Sequence, residues 1–84
     1  MPRYYIHLIN AVGIAPDEEG TEAPDLDAVR ERALQGIRSI ISDEAKVGKI
    51  DLRGRAEIAD QTGRILLVLP FAEAFNLCTE DPPG

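Results

Sequence analysis

The chain has 84 residues, room for one small domain and not for a second. Its formal net charge is −6, and the same −6 arises between residues 17 and 31, where Asp17, Glu18, Glu19, Glu22, Asp25, Asp27 and Glu31 accompany one base, Arg30. The remainder is neutral, which argues against direct nucleic-acid binding or attraction to an anionic membrane, both of which need a basic surface.

Residues 3–10 (RYYIHLIN) are aromatic and β-branched and predict the first strand. Tyr4, Ile6 and Leu8 form one apolar row. Tyr5, His7 and Ile9 form the other, only half polar, so neither face is expected to be fully solvated. Residues 11–24 hold two glycines, two prolines and the first acids and read as loop, with a short extended piece at residues 20–23 expected at a sheet edge. Asp25 then announces a helix over residues 25–47, roughly 34 Å long at the usual rise per residue. Leu26, Val29, Ala33, Ile37 and Ile40 form its apolar stripe, widened by Leu34, Ile41 and Ala45. Gly48 supplies the stop, and Lys46 and Lys49 complement the negative end of the helix dipole. Gly36, unfavourable in mid-helix, is expected to admit a second backbone at close range.

Residues 53–60 and 64–69 flank Asp60-Gln61-Thr62-Gly63 and predict a β-hairpin. The second arm is apolar throughout residues 65–69, as expected of a central strand buried on both faces. The first alternates Ala56 and Ile58 with Arg55 and Glu57, as expected of an edge. Pro70 opens a short helix with Phe71, Ala74 and Phe75 at helical spacing.

These elements predict an α+β domain: a three- or four-stranded, mostly antiparallel sheet of split β-α-β form, one long helix on one face and a short C-terminal helix. In that arrangement the first strand and residues 53–60 are parallel, with residues 64–69 between them. The second sheet face carries Tyr5, Ile9, Leu66 and Val68, to be covered by the terminal helix or used for self-association. The domain is expected to span residues 1–77, followed by a frayed acidic, proline-rich tail at 78–84.

A single cysteine, Cys78, leaves no intramolecular disulfide and no all-cysteine metal site, which points to a reducing cytoplasm. The opening residues have neither the charged nor the apolar region of a signal peptide. The longest apolar run, residues 65–72, contains a proline and falls far short of the roughly 20 residues that span a bilayer.

Four segments occur in a familiar order and spacing: Met1-Pro2-Arg3-Tyr4-Tyr5-x-His7, the block from Pro16 through Asp17-Glu18-Glu19-Gly20-Thr21-Glu22 to Pro24-Asp25-Leu26, Asp51-Leu52-Arg53-Gly54, and Leu69-Pro70-Phe71-Ala72. They resemble a family of short bacterial proteins catalogued as a domain of unknown function. The resemblance runs from about Pro2 to Phe75, with the acidic block its most specific part, and implies a free-standing small domain. It implies no activity, cofactor or catalytic residue.

Within the chain, Asp17, Glu18, Glu19 and Glu22 are the candidate partner-binding residues, presenting an acidic surface to a protein with a basic one. The alternative within the same block is mimicry of nucleic acid, blocking a DNA- or RNA-binding protein. The plainer reading is a solvated loop plus capping of the long helix. Asp17, Glu19 and Gly20 fail as a calcium loop because the glycine is misplaced and no bidentate acid follows. His7 is the only histidine, so no His-pair zinc site exists. It has Asp17 or Glu19 as partners for a small ligand-binding or enzymatic site with Tyr5, but no paired nucleophile, and Ser39 and Ser42 lack a histidine for a hydrolytic triad. Cys78 has no cation beside it to make it reactive. Residues 46–55 form a basic cluster whose Arg53 and Arg55 either bind phosphate or guard an edge strand. With the acidic block it makes the domain bipolar, which favours antiparallel pairing of two copies. The expectation is a cytoplasmic, non-enzymatic interaction module without cofactor or metal, self-associating as a homodimer through Tyr5, Ile9, Leu66 and Val68.

Overall fold

The computed structural model describes residues 1–82; Pro83 and Gly84, the end of the expected tail, lie outside the described residues. In chain order the elements are β1 (Arg3–Ile9), β2 (Ile14–Ala15), β3 (Thr21–Glu22), α1 (Leu26–Lys46), β4 (Arg55–Ala59), β5 (Ile65–Pro70) and a 3₁₀ turn (Phe71–Ala74). The class is α+β as expected, with one long helix and a short terminal turn. The sheet is antiparallel throughout and has five strands, two of them only two residues long.

Strand order departs from the split β-α-β expectation. The order is β2-β1-β4-β5, with β3 also pairing with β1. β4 lies beside β1 and antiparallel to it, Tyr5 opposite Ala59 and Ile9 opposite Arg55. The cause lies in residues 10–24. Asn10 N–H donates to Gly13 O, turning the chain so that Ile14 falls opposite Ile9. The chain then runs back along the whole outer edge of β1 until Glu22 falls opposite Arg3 and Ala23 N–H reaches Pro2 O. One extra traverse reverses the direction of everything after it. α1 therefore runs with β1, and β4 returns against it.

This order also exchanges the roles of the hairpin arms. β4 is central and β5 is the edge. Ala56 and Ile58 are fully buried against α1, while Arg55 and Glu57 face the open side and pair there at 3.1 Å. β5 is apolar on both faces without being covered on both: Leu69 is buried, whereas Leu66 and Val68 remain 37% and 45% exposed. Pro70 is tolerated because it ends an edge strand, and the register slips near Ile58/Ala59.

Asp25 caps α1 as expected, accepting from Ala28 N–H at 2.9 Å, and Gly48 leaves the helix at φ +86°. The core lies between α1 and one sheet face, with Val29, Ala33, Ile37 and Ile41 meeting Ala56, Ile58, Leu69 and Phe71. Gly36 does not admit a backbone; a Cβ there would meet open space. The close approach is at Gly54, where a Cβ would fall 2.5 Å from the Phe71 ring and 2.8 Å from Ile9 O. Phe71 N–H donates to Gly54 O, which draws the 3₁₀ turn to the α1 side of the sheet.

Candidate functional site

The acidic segment is built around Asp17. Between Leu8, opposite Ala15, and Tyr4, opposite Thr21, the outer edge of β1 has a gap at Ile6. Asp17 fills it: Oδ2 accepts from Ile6 N–H at 3.1 Å, in place of a strand carbonyl. Oδ1 accepts from Gly20 N–H at 2.9 Å and Glu19 N–H at 3.2 Å, closing a turn on the same carboxylate. Gly20 is needed there twice over, because φ is +74° and a Cβ would fall 2.8 Å from Tyr4 O. Partial burial opposes ionisation of Asp17, but the Gly20, Ile6 and Glu19 N–H groups and the nearby His7 outweigh it and hold its pKa below the ordinary value.

His7 and Asp17 are brought together, though not as a base and its orienting carboxylate. Asp17 donates its own backbone N–H to His7 Nδ1 at 3.0 Å. Tyr5, the other member of the small-ligand alternative, lies against Gly20 and next to Ala59. Two residues that spacing did not single out complete the arrangement. Arg3 donates to Glu19 O at 2.7 Å and pairs with Glu22 at 3.4 Å, and Arg32 donates to Thr21 Oγ1 at 2.7 Å. Their partners lie 11 to 19 residues away, beyond any local pattern. Glu18 and Glu19 are exposed, and among the described residues neither carboxylate takes part in an ion pair.

The second candidate surface is the sheet face away from α1. Across β1, β4 and β5 its rows read Tyr5 and Ala59, then His7, Glu57 and Val68, then Ile9, Arg55 and Pro70, with Leu66 beside the first row. The 3₁₀ turn packs against α1 and leaves this face uncovered. All four residues expected for self-association therefore share one open surface. The basic cluster is not a free phosphate site: Arg53 forms a two-pronged pair with Asp51, both contacts 2.9 Å, and Arg55 pairs with Glu57. Arg53 precedes β4 rather than sharing its face. Its guanidinium holds the Asp51 carboxyl far below the usual range.

A shallow groove of about 220 Å³ lies between Ile41, Ala45, Ile50, Leu52, Phe75 and Leu77. It is apolar, and Arg38 at its rim is bonded to Ala74 O. Among the described residues no group of three or more His, Cys, Asp or Glu is placed to hold a metal ion, and no helix is long and apolar enough to cross a membrane. Cys78 is exposed, its Sγ 3.7 Å from Asn76 O.

Searches of curated proteins and of solved structures give no match to the chain. A family model matches residues 3–72, which takes in β1, the Asp17 segment, α1, the hairpin and the start of the 3₁₀ turn. By that match the chain belongs to the family described as Domain of unknown function (DUF6894).

Proposed function

We propose that this domain is a non-enzymatic protein-interaction module of the cytoplasm that pairs with a second copy of itself through the open sheet face. The observation that supports the reading is the position of the 3₁₀ turn. The terminal element, whose cover was one of the two expected fates for Tyr5, Ile9, Leu66 and Val68, packs on the opposite side, with Ile65, Leu66 and Val68 between 37% and 45% exposed on or beside that face. Exposed apolar residues of this kind, here flanking the Arg55–Glu57 pair of β4, favour association. Sedimentation velocity over a concentration series tests it. The sedimentation coefficient is expected to rise with concentration for the wild type, and Val68→Lys is expected to remain a monomer with its fold intact. A wild-type chain that stays at 9.2 kDa at every concentration refutes the reading.

A second reading is supported by the uncommitted carboxylates of Glu18 and Glu19. With Asp17 fastening the backbone beneath them, they form a fixed acidic projection, joined by Glu22 beside Arg3, suited to a protein with a basic surface. Reversing Glu18 and Glu19 to lysine abolishes salt-sensitive capture of such a partner under this reading. Competition of that capture by duplex DNA or RNA identifies the partner as a nucleic-acid-binding protein and the acidic segment as its mimic.

A further inference from the structure

We propose that His7 is a proton-operated latch that adds one tie between the acidic segment and β1 when neutral and gives it up when charged. That tie has one acceptor, His7 Nδ1, to which Asp17 donates its backbone N–H at 3.0 Å, beside the Asp17 carboxylate's own bond to Ile6 N–H. An N–H donor needs a lone pair, so neutral His7 carries its proton on Nε2. Protonating Nδ1 sets two N–H groups against each other and breaks the contact.

The charged ring has another place to go. Asp17 is close by, but its carboxylate oxygens are already occupied by the N–H groups of Ile6, Gly20 and Glu19. Glu57 of β4 stands directly opposite His7 in the sheet register and favours the imidazolium. Arg55, paired with Glu57 at 3.1 Å, opposes it. Tyr5 stands two residues before His7 on the same strand and the same sheet face. Protonation therefore moves His7 from the Asp17 N–H to Glu57 and leaves the segment attached by the Asp17 carboxylate and Arg3. That carboxylate titrates below its ordinary value, so its own protonation is not the source of a change near neutral pH. The latch operates within one copy and does not require self-association.

Nitrogen-15 NMR of the full chain between about pH 8 and pH 5 tests it. At the upper limit the His7 ring is expected in the Nε2-protonated form. On acidification the Asp17 and Gly20 amide resonances are expected to move with the midpoint of the ring, and Asp17 amide exchange, corrected for the intrinsic pH effect, to accelerate by about tenfold or more. His7→Gln, which keeps an acceptor but cannot titrate, is expected to remove the step. A proton on Nδ1 at the upper limit, amide shifts that do not follow the ring, or an unchanged step in His7→Gln each overturns the latch. Should His7→Gln not fold, the wild-type tautomer and midpoints decide.

Discussion

At the residue scale the acidic block divides into a structural member and exposed ones. Asp17 completes an interrupted strand ladder, and its carboxylate must be ionised to accept three N–H groups without donating. Its folded pKa is lowered, so its contribution to stability is full above the ordinary aspartate value and is lost as pH falls through the folded one. Asp17→Ala is expected to destabilise the domain by about 1–2 kcal/mol at neutral pH, the charge-assisted bonds being discounted for partial exposure. Urea midpoints for wild type and variant should converge on acidification; a gap that stays constant to low pH would show that the carboxylate is not its source. The sequence marks out residues 17–22 as specific but cannot show this use. Ile6 and His7 lie 11 and 10 residues away, and a gap in a ladder exists only once the strands are paired.

At the element scale, the existence and type of the main elements were legible and their arrangement was not. Asp25, the apolar stripe and Gly48 define α1 closely, because caps and periodicity are local. The strand order turned on residues 10–24, whose Gly, Pro and acid content reads as loop although it runs as an interrupted edge strand. The apolar run in β5 misled for a related reason: periodicity reports side-chain chemistry, and one exposed row is apolar as well. The glycines give the matching test. Gly36→Ala is expected to raise stability by about 0.5–1 kcal/mol, since the position is helical and open. Gly54→Ala is expected to lower it, because the Phe71 ring and Ile9 O must both move. Thermal melts that shift in the same direction for both would contradict these placements.

On the scale of the whole molecule, the charge pattern decides how two copies can approach. Residues 46–55 promised a basic pole opposite the acidic one, but Lys46, Arg53 and Arg55 are paired with Asp43, Asp51 and Glu57, which leaves Lys49 alone of the four bases without an ion pair among the described residues. The acidic segment keeps Glu18 and Glu19 without ion pairs among the described residues. The molecule is thus closer to a single negative pole than to a dipole, and two copies of net −6 repel over a range that salt shortens to about 8 Å at physiological ionic strength. Association through the open sheet face gains from apolar contact, which moderate salt does not screen. Raising salt from low to physiological strength should therefore tighten it, and light scattering at fixed protein concentration should show the average mass rising. Antiparallel pairing of opposite poles predicts the reverse, because its attraction is the part that salt removes. A falling mass would return the interface to the charged ends of α1 and leave Leu66 and Val68 outside it.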